Sequence, residues 1–469
     1  MDSNVTSTAI ILAAGEGTRM KSNHAKVSHE ILGKPMILWI TDAVIAAGID
    51  RVVVVIGSHA DEVRALLDGA YGERTDARVE CVEQTERLGT GHAVRTVLEA
   101  TGICSGPVVV LNGDLPLIKP ETIRAFAESV ADGAHAASIL TMTMPDPFGY
   151  GRIELDENGS VLRNIEQKDC TPEQSATLSE CNVGCYAFDG AKLAQHVNSI
   201  GCDNAQGEYY LPDMIEILRR AGESVTICHA DDYREGLGIN SRKQLAEVTA
   251  VARDRINDEL MAAGVTIIDP ASTWIAPGVT IGRDTVVWPL TFLLGATSVG
   301  PDCVIGPNTR LTDCQVGAGS TLEEVVGIQA TIENGVSVGP RAYLRPGAHL
   351  LDGSHVGTHV EIKNSTIGEG SKVPHLSYIG DTQMGSGVNI GAGSITCNYD
   401  GVRKNRTTIG DNTFIGSDTM MVAPVNIGSR AVTGAGGTIT KDVPDGALAI
   451  ERTEQRIIAG YGERKFARS

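Results

Sequence analysis

The stretch IAPGVTIGRDTVVWPLTFLLGATSVGPDCVIGPNTRL, Ile275 to Leu311, decides the fold of the C-terminal half. An aliphatic residue returns at every sixth position: Ile275, Ile281, Val287, Leu293, Val299, Ile305 and Leu311. The series resumes through Val338, Leu344, Leu350, Val356 and Ile362, and again at Ile409, Ile415, Met421 and Ile427. Six is neither the 3.6-residue period of a helix nor the two-residue period of a simple strand. It marks a β-solenoid in which each six-residue unit forms one flat face with its aliphatic residue pointing inward. Three faces make a coil of about eighteen residues, and about eight or nine coils at a spacing of about 4.8 Å give a prism on the order of 40 Å long. Glycine follows several of the aliphatic positions, as at Gly282, Gly306, Gly391 and Gly428, which predicts tight corners with positive φ. One segment, TCNYDGVRKNRTT (Thr396–Thr408), breaks the period with Tyr399, Arg403, Lys404 and Arg406, and is expected to loop out of the prism over a surface or a ligand.

Just before the prism, SRKQLAEVTAVARDRINDEL begins with the capping-box pair Ser241 and Gln244. It places Leu245, Val248, Ala252, Ile256 and Leu260 at helical spacing, which predicts a connecting helix of about twenty residues. Upstream, from residue 8 to about 240, short β-branched runs (Ala9–Leu12, Arg51–Ile56, Val79–Val82, Pro107–Leu111) alternate with helical patterns such as Met36–Ala47 and His92–Ala100. Nearly continuous apolar runs suit parallel strands covered on both faces, so a layered α/β sheet follows. Ligands of such sheets collect at the carboxyl ends of the strands. The loops AAGEG and NGD lie at such ends.

Composition narrows the class. The chain has 469 residues and a formal net charge of -19, against general binding to nucleic acid or an anionic membrane. It contains no run of about eighteen apolar residues, and its start, MDSNVTSTAIILAAG, lacks the basic leader of a signal peptide. Ten cysteines are scattered without the spacing of a disulfide scaffold, which fits a reducing cytoplasm. Cys181 and Cys185 are close enough for a metal site, but nothing nearby completes four ligands, and they read as inert partly buried thiols.

LAAGEGTRMKSNHAKV (Leu12–Val27) has the composition of a phosphate-holding loop. It is not a Walker A loop, because Gly15 and Gly17 are two apart and no Lys-Ser or Lys-Thr follows. Nor is it a dinucleotide fingerprint, because Met20 stands where the third glycine belongs. What remains is a turn at a strand end whose N–H groups can meet phosphate oxygens, with Arg19 and Lys26 to neutralise them. Asp114 in LNGDLPL is a hard oxygen ligand suited to Mg²⁺, or a strand-end cap. Gln84 in EQTERLGTGHA carries an amide that can both donate to and accept from a pyrimidine edge. In the prism, His375 of PHLSYIG lies near Arg345, Lys363 and Tyr378 and is either a general base or a corner histidine bonded to backbone.

Taken together, LAAGEGTRM, EQTERLGTGHA, GDLPL, GYGRI, NAQGEYYLPD, YLRPGAHLLDGSHVG, GDTQMGSGVNIGAGSITCNYDG and FIGSDTMMVAPV resemble the bacterial bifunctional N-acetylglucosamine-1-phosphate uridylyltransferases and glucosamine-1-phosphate acetyltransferases, from about Ala9 to Arg452. The resemblance implies a Rossmann-like mixed α/β nucleotidylyltransferase domain over 1–240, a linker helix over 241–262 and a left-handed parallel β-helix of hexapeptide repeats over 263–469. It implies acetyl transfer from acetyl-CoA to glucosamine 1-phosphate, then uridylyl transfer from UTP to N-acetylglucosamine 1-phosphate, with Mg²⁺. It also implies a homotrimer with small-molecule partners only.

Residue by residue, the resemblance implies metal ligation by Asp114 and Asn240, with Leu12, Ala13, Gly15, Arg19 and Lys26 at the phosphates. Gln84, Gly89 and Thr90 fall at the uridine, and Gly151, Glu166 and Asn182 at the sugar. For acetyl transfer it implies His375 as base, Arg345, Lys363 and Tyr378 around the sugar phosphate, Asn389 at the amine side, and Asn398 and Tyr399 from the protruding loop. Ala392, Ser417, Ala435 and Arg452 fall at the CoA moiety. Four departures stand out: Ala25 where the family often has Pro, Asn112 where an aromatic is common, Gln167 where His is frequent, and ERTEQ in the tail where a Pro commonly follows the Arg-x pair. A single-activity nucleotidylyltransferase with an assembly prism would lack His375 or the NYDG loop. A non-catalytic scaffold would have lost Lys26, Asp114 or Asn240. All are present.

Overall fold

The computed structural model describes residues 6–467 apart from 75–77, 158–159, 166, 168–169 and 205. The chain divides into two compact units, Met1–Ala252 and Arg253–Ser469.

The N-terminal unit is built on one mixed sheet. Its strands are β1 (Thr8–Leu12), β2 (Arg51–Ile56), β3 (Arg78–Glu83), β4 (Pro107–Asn112), β5 (Ala137–Thr143), β6 (Gly151–Leu155), β7 (Val161–Ile165), β8 (Glu180–Asp189) and β9 (Val225–His229). The main order is β9-β5-β8-β4-β1-β2-β3, with β6 paired to β8 and β7 to β6. The four strands read from the sequence run parallel, in the order β4-β1-β2-β3. β8 enters antiparallel between β4 and β5, an insertion that apolar runs alone could not reveal. Alternate residues of the central strands feed two cores. Ile11, Val54 and Val109 pack with the helix Met36–Ala46 on one face, and Ile10, Val53 and Val108 with the helix Thr90–Thr101 on the other. Covering both faces explains why these strands are apolar throughout.

The C-terminal unit is the left-handed parallel β-helix: three parallel sheets of eleven, ten and nine very short strands. Ile275, Leu293 and Leu311 stack in register, each fully buried; Gly327 takes the matching position in the next coil, and Leu344 and Ile362 resume the stack. Hydroxyls at the corners satisfy backbone groups of neighbouring coils. Thr285 Oγ1 donates to Gly300 O at 2.8 Å and accepts from Cys303 N at 3.1 Å. At one end, Ile256, Leu260 and Met261 of the helix Arg242–Ala262 pack against the prism core, and the buried Asn257 donates to Pro270 O and Thr273 O. Among the described residues, no helix is long and apolar enough to cross a membrane.

Two expectations need correction. The strand counts exceed eight or nine coils. Val299 faces Val316 and Val316 faces Ile332, so two coils run 17 and then 16 residues, and the strict six-residue count loses them between Leu311 and Val338. The second concerns the glycines. Of the four named, only Gly306 has positive φ, at 101°. The left-handed corner falls elsewhere in the unit, on Asp284, Asp302, Asn412, Asp418 and Arg430, several of them residues that tolerate this conformation. Glycine follows the aliphatic residue because coils approach too closely for a side chain: an added Cβ on Gly282 would stand 2.3 Å from Pro301 N, and one on Gly391 2.3 Å from Ser417 N. We therefore expect Gly282→Ala to destabilise the prism by about 1–3 kcal/mol, seen as a lower unfolding midpoint by calorimetry. An unchanged midpoint would mean that the coils separate freely.

Candidate active sites

A cleft of ≈ 720 Å³ opens at the carboxyl ends of β1 and β4 and beside the loop after β3. It is lined by Leu12, Ala13, Gly15, Lys26, Gln84, Gly89, Thr90 and Asp114, together with Glu16, Arg87, Asn112 and Tyr210, for which the sequence assigned no role. Gly17 takes φ 62°, and a Cβ there would stand 2.6 Å from Lys26 Cβ, so glycine lets the loop close over the lysine stem. Lys26 Nζ then reaches Asp114 Oδ2 at 2.5 Å and Asn240 Oδ1 at 2.7 Å. Both lysine and aspartate are largely buried. Ala25 keeps the extended φ of -55° and ψ of 139° that a proline would impose, and uses the N–H that a proline lacks to donate to Glu62 Oε2 at 2.9 Å.

Asn240 is held by the start of the connecting helix. Its N–H donates to Gln244 Oε1 at 2.9 Å while Ser241 Oγ accepts from Gln244 N at 3.3 Å. The Ser241–Gln244 pair read from the sequence thus fixes the Asn240 backbone as well as capping a helix. Lys26 shows that the two oxygens of Asp114 and Asn240 converge on one cation. This hard, two-oxygen set fits Mg²⁺, which usually completes its shell with water and phosphate.

On the other side, Gln84 is buried. Its Nε2 donates to Gly89 O at 3.1 Å and lies 2.9 Å from His92 Nδ1. Thr90 Oγ1 accepts from Leu211 N at 3.0 Å, and Gly91 N donates to Tyr209 O at 2.8 Å, so NAQGEYYLPD pins this turn. Asn112, in the place of an aromatic, donates to Gly184 O at 3.1 Å.

Gly151 and Asn182 face each other in register on β6 and β8. Asn182 donates to the Tyr186 hydroxyl and accepts from Gly184 N. Neither lines the cleft. Gln167 accepts from Arg152 at 3.1 Å. Glu166 lies outside the described residues. Arg19 is exposed on a short 3-10 turn and does not line the cleft either.

In the prism, Lys363 is in register with Gly380, and Arg345 N donates to Ile362 O. Asp381 is the hub. It accepts from Lys363 Nζ at 3.1 and 3.2 Å, Asn364 Nδ2 at 2.6 Å and Asn398 Nδ2 at 2.5 Å. Asn398 Nδ2 is also 3.4 Å from the Tyr378 hydroxyl. Arg345 pairs with Glu361 at 2.8 Å. Lys404, from the protruding loop, stands beside Lys363, whose ammonium holds it below the ordinary lysine range. Three cations thus meet two carboxylates, which leaves room for an anion. Asp381 had no assigned role in the sequence, yet it follows Lys363 by 18 residues, the ideal coil period and one position past Gly380, the residue that faces Lys363 here, and that spacing could have found it. The loop adds seven residues beyond that period, so that Thr382 faces Thr407.

His375 is exposed at the corner between the strands Lys372–His375 and Tyr378–Gly380. Burial, with Lys372 and His375 nearby, holds the His355 imidazole below its ordinary range. Asn389 is in register with Lys372 on the same face. Successive corners lie above the histidine: Gly393 N donates to His375 O, Asp418 N to Ala392 O, and Gly436 N to Ser417 O. Ala392, Ser417 and Ala435 therefore climb one edge of the prism, coil by coil. A Cβ on Gly434 would stand 3.1 Å from an Arg452 guanidinium nitrogen, which puts Arg452 over the last of these corners. Tyr399 is exposed at the base of the loop, where its hydroxyl donates to Gly401 O.

Cys181 and Cys185 are both buried, and burial raises both thiol pKa values, that of Cys185 to about 12. Among the described residues, no cluster of three or more His, Cys, Asp or Glu side chains could hold a metal ion.

Residues 9–155 match the MobA-like NTP transferase domain, and residues 406–441 the hexapeptide repeat of succinyl-transferase. Over the full length, the chain is 49% identical to the Bifunctional protein GlmU of Desulfitobacterium hafniense (strain DSM 10664 / DCB-2), covering 97% of this chain and 98% of that one. It is 46% identical to the proteins of the same name from Heliobacterium modesticaldum (98% of each chain) and Streptomyces avermitilis (97% of this chain, 94% of that one). With a nucleotidyltransferase fold, a hexapeptide prism and this identity along nearly the whole of both chains, the chain belongs to the bifunctional GlmU family.

Proposed function

We propose that the cleft of the N-terminal unit is the uridylyl-transfer site and that the corner column of the prism is the acetyl-transfer site, with functional boundaries at 1–240, 241–262 and 263–469. The chain is a bifunctional acetyltransferase and uridylyltransferase of UDP-N-acetylglucosamine synthesis. The observation that carries the assignment of sites is that one chain holds two separate anion-ready polar clusters, one around Lys26, Asp114 and Asn240 and one around Lys363 and Asp381.

For uridylyl transfer, the phosphate oxygen of N-acetylglucosamine 1-phosphate attacks the α-phosphorus of UTP, and the bond to pyrophosphate breaks. Asp114 and Asn240 would hold Mg²⁺, which supplies charge neutralisation at the phosphates. Within Leu12–Gly15 the Ala13 N–H is committed to Val55 O, so the N–H groups of Ala14 and Gly15 meet the triphosphate, and Lys26 adds a cation that need only turn away from its two oxygen partners. Gln84, with the turn Gly89–Thr90, reads the pyrimidine edge. Gly151, Asn182 and Glu166 serve the sugar, and Arg19 meets phosphate from outside the cleft wall.

For acetyl transfer, the amine of glucosamine 1-phosphate attacks the thioester carbon of acetyl-CoA. His375 takes the amine proton, and the C–S bond breaks to release CoA as a thiol. Arg345, Lys363 and Tyr378 cradle the sugar phosphate, with Lys404 as a further cation, and Asn389 lies on the amine side. Ala392, Ser417, Ala435 and Arg452 rise above the base in steps of about 4.8 Å, which matches an extended CoA arm, while Asn398 and Tyr399 approach from the loop. A homotrimer belongs to the same reading. Exposed Phe414, Val432 and Leu448 stack in successive coils on the face that carries Asn389, an apolar ladder suited to association between copies. Ten free cysteines fit a reducing cytoplasm.

Two tests follow. His375→Ala should abolish thiol release from acetyl-CoA but spare uridylyl transfer to pre-acetylated substrate, and Asp114→Ala should do the reverse. Loss of both activities in either folded variant would contradict the division of sites. The second concerns Asp381. Burial pushes its carboxyl up, but hydrogen bonds from Asn364, Lys363 and Asn398 outweigh this and hold it below its ordinary 3.8. Its contribution to stability is therefore full above the unfolded value and is lost as the pH falls through the lower folded one. Asp381→Asn should cost about 2–4 kcal/mol at neutral pH, a gap from the unsubstituted protein that closes below about pH 4 in thermal melts. A gap that persists in acid would rule out a charge-based role.

A further inference from the structure

Two side chains of the nucleotide cleft take no part in the chemistry derived above. Glu16 sits in the glycine loop after β1, and Arg87 in the segment between Gln84 and Gly89 after β3; both line the cleft. Arg87 Nη1 donates to Glu16 Oε1 at 2.5 Å, which joins the two loops. The side chains remain 46% and 55% exposed, respectively.

A carboxylate in a phosphate-holding loop is an electrostatic misfit, because it repels the very anion that the loop's N–H groups attract. Arg87 cancels that charge. Exposed ion pairs of this kind are weak, whereas a guanidinium–phosphate contact is charge-assisted and matches the fork of donors to the phosphate oxygens. The guanidinium is thus stored at the cleft wall, bound to a partner that a phosphate outcompetes.

We infer that Arg87 is a further phosphate-binding residue of the uridylyl site: Glu16 holds it in the free protein, and it passes to the phosphates of UTP when the nucleotide enters. Glu16 sets nucleotide affinity by competing for it. This rests on the reading of the cleft as the UTP site.

The test is a set of binding titrations with UTP and with uridine, in Mg²⁺, on the full chain and on Arg87→Gln, Glu16→Gln and the double variant. Both positions are exposed, and melting curves confirm folding. Arg87→Gln should weaken UTP binding about ten-fold and leave uridine binding unchanged. Glu16→Gln should tighten UTP binding by about two- to five-fold. Arg87→Gln should still cost at least as much when position 16 is Gln. If its cost vanishes in that background, Arg87 only neutralises Glu16 and the inference falls. Equal weakening of uridine would assign the effect to loop shape and overturn it too. Lys26→Ala separates the two levels. UTP binding indifferent to Lys26 would sink the reading of the cleft itself, whereas dependence on Lys26 without dependence on Arg87 would sink only the exchange proposed here.

Discussion

The contact of the Lys26 ammonium with Asp114 and Asn240 ties together three segments far apart in the chain. Each partner arrives by a different route. Gly17 clears space for the lysine stem, the end of β4 delivers Asp114, and the cap of the connecting helix delivers Asn240. Asp114 O also accepts from Ile239 N at 3.0 Å, so the strand end and the helix start are joined by backbone as well. A largely buried carboxylate needs a positive partner. The lysine provides it, and in doing so keeps two oxygens converged on a point that a divalent ion can take.

The prism solves the same problem by repetition. Because coils stack in register, a residue at one corner has a counterpart directly above it, and chemistry that spans several coils can be written as a column. The histidine corner, the three small-residue corners above it and the Arg452 guanidinium form such a column. The cost of this regularity is tight stacking, which bars a side chain after many of the inward aliphatic residues. The one large break, the loop at Thr396–Thr408, is where an asparagine and a lysine are brought to the acidic hub at Asp381.

Much of this was legible in the sequence. The six-residue period gave the prism because its inward positions tolerate little besides aliphatic side chains, and the apolar runs gave the four parallel strands because both of their faces are covered. Three features were hidden. Coils of 16 and 17 residues break the count without breaking the stacking, since corners absorb the missing residues. The antiparallel β8, ECNVGCYAFD, lacks the continuous β-branched run that marks the parallel strands. The glycines mark close approach, which depends on the coil above and not on local conformation. At the sites, types and motifs located Lys26, Gln84 and Asp114 at the cleft, but Arg19 lies outside its lining. The ion pair of Glu16 with Arg87 joins two segments with no shared pattern.

The most direct measurement is anomalous diffraction from crystals grown with UTP and Mn²⁺ in place of Mg²⁺. The account predicts one strong peak in the N-terminal unit, in contact with Asp114 and Asn240, with the lysine ammonium displaced onto phosphate. A peak away from both oxygens, or Lys26 still bridging them with nucleotide bound, would contradict it.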